Sequence, residues 1–329
     1  MNRCSWSVAT LFDLIIFASF KHHYTTTGKE PEATLSMSQK AEKIVVPVDF
    51  GEQSMIALEQ ACHLAKMTNA EVTLVYVLEG TSLLGRILSS QQDEAIRKEI
   101  NDKLEELTEN VEKTHGIKCD KVVAHGSVYD KVAEVAEMIN ATFIVMGTNG
   151  AENLRKRFIG SNALRVVRES KVPVITIKGK HHRDGCRNIV VPLDLTKETR
   201  EKVNKAIEMA KLYTADIRVV SVLFSTDEFI VNRLTRQLSQ VKAFIEKAQV
   251  RCTAEIIKGI KGDESLGQII VDYANKVEGD LIMIMTQQET DITELFIGSA
   301  ATEIIHKSDI PVLSIVPSPK NEYVDFKPY

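Results

Sequence analysis

The sequence predicts an α/β protein with two tandem domains, each a five-stranded parallel sheet flanked by helices. Three observations support this fold class. The chain has 329 residues, which is long enough for two domains of ordinary size. A set of motifs occurs twice in the same order, and strand-like runs alternate with helical patterns in each copy. Such alternation is typical of parallel strands joined by helical crossovers.

The duplication rests on three short motifs that recur in order. In the first and then the second copy they are Ile-Val-Val-Pro-[Val/Leu]-Asp at 44–49 and 189–194, Phe-Ile-Gly-Ser at 158–161 and 296–299, and [Val/Ile]-Pro-Val at 172–174 and 310–312. The first pair is 145 residues apart and the other two pairs are 138 apart. The spacing indicates an internal repeat in which the first copy carries seven extra residues in its middle.

Each copy shows the same order of predicted elements. In the first copy the strands are 44–49, 71–77, 121–124, 142–147 and 173–178, with helices at 52–68, 91–114, 128–140 and from 161. In the second copy the strands lie near 189–194, 216–223, 252–258, 280–285 and 311–316. Pro47 and Pro192 fall inside runs assigned as central strands, where proline is disfavoured. We keep the assignment because each proline lies near the carboxyl end of its strand.

These elements set the predicted domain limits. The first domain spans 42–180, the second spans 187–317, and residues 318–329 form a C-terminal tail. Residues 1–41 are an N-terminal extension, disordered or upstream of the true start. Met37 precedes the first strand, and we expect it to be the initiating residue.

Composition excludes several classes of protein. The net charge of −4 gives no basic surplus for nucleic acid. The apolar run at 8–17 is too short for a membrane span, which needs about 20 apolar residues. The five cysteines form no CxxC pair, which argues against a zinc site or a disulfide framework and favours a reducing cytoplasm.

A glycine-containing loop in the first copy predicts a phosphate site. Gly147 and Gly150 follow the apolar run 141–146, and Gly160-Ser161 precedes a helix. Glycine lets a backbone approach an anion closely, and a helix start offers unpaired N–H groups and a positive dipole end. We expect Ser161 to cap this helix and to donate to a phosphate oxygen.

Other residues near this loop have two interpretations each. Asp49, at a strand's carboxyl end, either binds a ribose or an ion or caps the following helix. Three bases and one acid between 151 and 159 give a local charge of +2, so Arg155 and Arg157 are candidate phosphate contacts, or part of a solvated basic loop.

These residues together resemble the universal stress protein family, whose nucleotide-binding members carry G-x2-G-x9-G-[S/T]. Gly147, Gly150, Gly160 and Ser161 match that pattern, and Asp49 matches the strand-end aspartate. The resemblance covers about 42–317, as a tandem member of the family. It implies Rossmann-like domains of the adenine nucleotide alpha hydrolase type, ATP as ligand, and pairing of the two domains.

The resemblance also implies a set of nucleotide-binding residues. Val77 takes the place of the valine whose backbone meets adenine. The implied contacts are Asp49, Val77, Gly147, Gly150, Gly160, Ser161 and Asn162. Magnesium would enter only with ATP, and neither a protein metal site nor a catalytic residue is predicted.

The second copy lacks two of these glycines. Gly147 corresponds to Met285 and Gly150 to Gln288, although Asp194 and Gly298 remain. Residues 289–297 carry three acids and no base, a charge of −3 that would repel a triphosphate. We therefore expect ATP in the first domain only.

Three classes of function stay open from the sequence. The first is a regulator that binds ATP and acts through nucleotide-dependent conformation or partner binding. The second is a slow ATPase or adenylate-handling enzyme, against which stands the lack of a visible catalytic base. The third is a scaffold that binds no nucleotide. A homodimer is a further alternative for any of them.

Overall fold

A computed structural model describes residues 42–79, 90–148, 160–179, 185–194, 199–260, 262, 264–286 and 298–316, and for 90–93 only the helical backbone. The predictions for the N-terminal extension, the C-terminal tail, Gly150, Arg155 and Arg157 lie outside these residues.

In the described residues, ten strands alternate with eight helices. The first repeat (42–180) contains β1 (Lys43–Pro47), α1 (Glu52–Thr68), β2 (Glu71–Leu78), α2 (Ser90–His115), β3 (Cys119–His125), α3 (Val128–Met138), β4 (Phe143–Gly147), α4 (Ser161–Glu169) and β5 (Val174–Ile177).

The second repeat (187–317) has the same order of elements. It contains β6 (Asn188–Pro192), α5 (Thr199–Tyr213), β7 (Asp216–Leu223), α6 (Glu228–Lys247), β8 (Cys252–Lys258), α7 (Leu266–Lys276), β9 (Leu281–Met285), α8 (Ser299–Lys307) and β10 (Val312–Ile315). The predicted α/β class is confirmed, with five parallel strands in each repeat.

The two repeats share one sheet. Its order is β3-β2-β1-β4-β5-β10-β9-β6-β7-β8, and the junction is an antiparallel pair between β5 and β10. Thr176 pairs with Val312, Ile175 with Leu313, and Val174 with Ser314. The expected pairing of the two repeats therefore takes the form of a continuous ten-stranded sheet. The domain limits 42–180 and 187–317 stay predictions.

The prolines mark where the first strand of each repeat ends. Pro47 and Pro192 are the last residues of β1 and β6, so both strands end two residues earlier than predicted. Proline has no N–H to donate to a ladder, and this explains its terminal place. The next residues still pair, since Val48 N donates to Val75 O at 2.9 Å and Leu193 N to Val220 O at 2.8 Å.

Helices cover both faces of the sheet. Along β1, Ile44 and Val46 belong to the core on one face, which includes apolar residues of α1, α2, α5 and α6. Val45 points to the other face and joins a core that includes residues of α3, α4, α7 and α8. Strands buried on both faces read as continuous apolar runs, which is why the sequence showed them clearly.

The strand registers refine the comparison of the repeats. Val72 of β2 corresponds to Ile217 of β7, an offset of 145, and their partners Cys119 and Cys252 have an offset of 133. The offset is 138 at the starts of α3 and α7. The first repeat is thus twelve residues longer between β2 and β3, and the second repeat is five residues longer between β8 and α7 than the first is between β3 and α3. Together these two differences give the net excess of seven residues in the first repeat.

Candidate functional site

The order of the strands reverses between β1 and β4. The chain passes from β1 to β2 on one side of β1, and later from β3 to β4 on the other side of β1. Where strand order reverses in this way, a crevice forms outside the carboxyl ends of the strands. Asp49 follows β1, Val77 is near the end of β2, and Gly147 ends β4. The fold therefore brings these three predicted residues to one edge of the sheet.

Asp49 is exposed at this edge and organises the start of α1. Its Oδ1 accepts hydrogen bonds from Gly51 N at 2.9 Å and from Ser54 Oγ at 2.6 Å. Asp49 therefore supports the start of α1, as expected if it caps this helix. The amide from which it accepts belongs to Gly51, which is the N-cap residue of α1. These contacts fix the orientation of an exposed carboxylate beside the crevice.

The residue after Asp49 has an unusual backbone. Phe50 has φ of 60°, the left-handed region that bulky side chains rarely adopt. Its ring stacks on Tyr76 with centroids 5.3 Å apart, and Lys103 Nζ lies 5.8 Å from the ring centroid. The contact with Tyr76 stabilises this backbone conformation of Phe50, which the sequence did not predict. Backbone strain of this kind concentrates at functional sites.

Packing against α1 requires a glycine at position 147. A Cβ added there would lie 2.9 Å from both the carbonyl carbon and the oxygen of Gln53 in α1. Gln53 is itself buried, and its Nε2 donates to Gly179 O at 2.8 Å. The absence of a side chain at Gly147 therefore lets α1 approach the end of β4.

Backbone hydrogen bonds join the two ends of the glycine loop. Thr148 N donates to Ile177 O at 2.9 Å, and Gly160 N donates to Thr148 O at 2.7 Å. The end of β4 and the start of α4 are thereby adjacent. Residues 149–159, which include Gly150, Arg155 and Arg157, lie outside the described residues.

The start of α4 differs from one detail of the prediction. Gly160 is the N-cap, and Ser161 is the first helical residue, so the expectation that Ser161 caps this helix was wrong. Glycine has no side-chain oxygen that could accept from the first-turn amides. Ser161 is exposed and Asn162 is half-buried. The positive end of the helix dipole therefore has no side-chain cap from Gly160.

Val77 lies on the opposite side of β1 from the glycine loop. It is half-buried and pairs with Ala124 of β3. Strands β2, β1 and β4 are neighbours in that order. The backbone near Val77, the carboxylate of Asp49 and the first amides of α4 therefore follow one another along the carboxyl ends of the strands.

The matching edge of the second repeat has a different surface. Met285 ends β9 where Gly147 ends β4, and its side chain is buried. Asp194 is exposed and Gly298 is the N-cap of α8, so these two features are kept. Ala300 stands where the first repeat has Asn162. Gln288 lies outside the described residues.

The described cysteines offer no nucleophile to either edge. Burial raises the pKa of the Cys62, Cys119 and Cys252 thiols to about 12, and these three and Cys186 form no disulfide. A thiol acts as a nucleophile or metal ligand in its thiolate form, which such a pKa suppresses near neutral pH.

Within the described residues, no group of three or more His, Cys, Asp or Glu side chains could hold a metal ion. No described helix is long and apolar enough to cross a membrane.

Fold and site define a class of protein: a tandem α/β protein with a ligand crevice at the point where strand order reverses. Comparison with known proteins gives the family. The model of the universal stress protein family matches residues 40–178 and again 185–315. The chain belongs to the universal stress protein family.

Individual relatives agree with this assignment. Universal stress protein MJ0531 of Methanocaldococcus jannaschii is 30% identical over 140 residues, which are 42% of this chain and 82% of the relative. A universal stress protein structure from Archaeoglobus fulgidus DSM 4304 has the same fold, with a TM-score of 0.67 at 19% identity over 83% of this chain and 96% of that chain. The structure of a universal stress protein from Archaeoglobus fulgidus has been solved in complex with dAMP. The match spans 39% of the present chain and 97% of the solved chain, with 24% identity and a TM-score of 0.33.

Proposed function

We propose that this universal stress protein binds ATP in its first repeat and acts as a regulator, through nucleotide-dependent conformation or partner binding. The observation that carries the proposal is the hydrogen bond between Gly160 N and Thr148 O. It joins the end of β4 to the start of an α4 that has no side-chain cap, next to the exposed carboxylate of Asp49.

The residues at this edge suit the parts of a nucleotide. The first-turn amides of α4, with Ser161 and Asn162, would hold phosphate oxygens, because a helix start favours anions. Asp49 would accept hydrogen bonds from ribose hydroxyls, and the backbone at Val77 would meet the adenine. Gly150 would allow backbone amides to approach the phosphates, and Arg155 and Arg157 would add positive charge. Any Mg²⁺ would arrive with ATP.

The second repeat does not suit a triphosphate. Met285 places a long side chain at the end of β9, and Ala300 offers no polar group at the start of α8. The three acids between 289 and 297 add a repulsive charge of −3. We therefore propose one nucleotide for each chain.

Calorimetric titration of ATP into the purified full-length chain is expected to give a stoichiometry of one ATP for each chain. The physical reason is that the segment preceding α4 in the chain has a charge of +2, whereas the segment preceding α8 has a charge of −3. Two equivalents of ATP for each chain would contradict the restriction to the first repeat. No binding would contradict the proposed ligand.

We further propose that ATP is a ligand and is not consumed in turnover. The thiols of Cys62 and Cys119 are buried with raised pKa values, so neither supplies a nucleophile for phosphoryl transfer. Mass spectrometry of small molecules released from denatured, freshly purified protein is expected to find ATP. Release of ADP over many turnovers would support an ATPase and contradict the regulatory proposal.

A further inference from the structure

We propose that the crevice of the second repeat binds a small, uncharged, largely apolar molecule about the size of one aromatic ring. A cavity of about 160 Å³ occupies the second repeat where the first has its candidate nucleotide crevice. It lies outside the carboxyl ends of β6, β7 and β9 and beside α7 and α8. Its most buried apolar walls are formed by Leu193, Val220, Ile270, Ile284, Met285 and Ile304.

Compared with the first repeat, three replacements make the walls of this crevice more apolar. By the offset of 138, Ala300 replaces Asn162 and removes an amide from the first turn of the helix. Leu266 and Ile270 stand in place of the smaller Val128 and Val132. Each change removes hydrogen-bonding capacity or adds apolar surface, so the walls favour burial of hydrocarbon.

The two charged side chains that line the cavity balance each other. Asp194 and Lys202 line it and carry opposite signs, and Lys202 Nζ also donates to Pro192 O at 3.2 Å. The first repeat has Ala57 where the second has Lys202, by the offset of 145. One acid and one base give no net charge to attract an ion, which favours an uncharged ligand.

Exposed apolar side chains lie at the same edge of the second repeat. Leu266 lines the cavity and is 37% exposed, and Phe229 and Ile260 are each 68% exposed, next to the carboxyl ends of β7 and β8 in the chain. A Cβ at Gly259 would lie 2.5 Å from the ring of Phe224, so that ring packs against the end of β8. This edge is therefore apolar beyond the cavity itself.

The volume of the crevice indicates the size of ligand that its apolar walls can cover. An apolar cavity of about 150 Å³ is known to stay dry and to bind benzene. A cavity of about 160 Å³ therefore suits one six-membered ring or a branched alkyl group of similar size. Toluene is a suitable probe because it has this size and no charge.

The experiment follows isoleucine methyl resonances of the full chain by NMR during a toluene titration. Ile270, Ile284 and Ile304 are expected to shift, with a dissociation constant on the order of 1 mM or tighter. Val222→Phe, which fills the cavity from β7, is expected to abolish these shifts and to leave ATP affinity unchanged. The matched variant Val77→Phe in the first repeat is expected to keep the toluene shifts.

A second variant protects the test against misfolding of the first. Ala300→Asn restores the residue of the first repeat at a half-buried position and is expected to weaken toluene binding about tenfold. Unshifted isoleucine methyls, or shifts that persist in both second-repeat variants, would overturn the proposal. ATP that shifts the same three methyls would overturn it as well. Failure of ATP binding at the first repeat would leave the toluene result unaffected, so the two proposals fail separately.

Discussion

Replacing Gly147 by methionine, the residue at the matching position of the second repeat, is expected to lower the free energy of unfolding by about 2–3 kcal/mol. A Cβ at this position would lie 2.9 Å from two backbone atoms of Gln53, which sits in the first turn of α1. Backbone cannot rotate away as a side chain can, so either α1 or β4 must shift. Urea denaturation of the variant and the wild type measures the difference.

Gly160→Ala is the matched control for this prediction. A Cβ there would lie 3.3 Å from Thr148 O, and Gly160 has a φ of −60° that any residue adopts. We expect a loss of at most about 1 kcal/mol, because a small displacement relieves the contact. Equal losses in the two variants would show that the contact with Gln53 does not explain Gly147.

Replacing Gly150 by glutamine, as at Gln288 of the second repeat, is expected to weaken ATP binding by roughly 100-fold or more. The reason is that a side chain would occupy the place where backbone amides are proposed to meet phosphate. The folded state is expected to keep its stability. Calorimetric titration with ATP, together with urea denaturation of the same sample, measures both quantities.

The reciprocal variant Gln288→Gly tests the specificity of this effect. It is expected to create no second ATP site, because Met285, Ala300 and the acidic residues between 289 and 297 remain. Wild-type affinity in Gly150→Gln would contradict the proposed site. A second ATP in Gln288→Gly would show that one glycine alone decides which repeat binds.

The element order could be predicted from the sequence because buried parallel strands are apolar over their whole length. The run around Ile144 and the proline at position 47 placed β4 and the end of β1 within two residues. The junction could not be predicted. Val174–Ile177 and Val312–Ile315 are apolar whichever strand lies beside them, so their pattern does not reveal that they pair with each other.

The place of the candidate site in the fold was easier to predict than the geometry of its residues. The spacing of Gly147 and Gly160 indicated a loop between a strand and a helix, and the structure joins its two ends through Thr148. The left-handed backbone of Phe50 depends on packing against Tyr76, which is distant in sequence. The contact of Gly147 with Gln53 depends on how α1 folds back on the sheet, which residue types do not encode.

The antiparallel pair of β5 and β10 determines where the two crevices open. Because β4 is parallel to β5 and β9 is parallel to β10, β4 and β9 run in opposite directions. Gly147 and Met285, each the last residue of its strand, therefore lie at opposite edges of the same sheet. The two proposed ligands would therefore not touch or compete for space. Any influence of one on the other must cross the junction of the repeats, where β5 pairs with β10, α1 contacts α5 and Lys178 Nζ donates to His306 O.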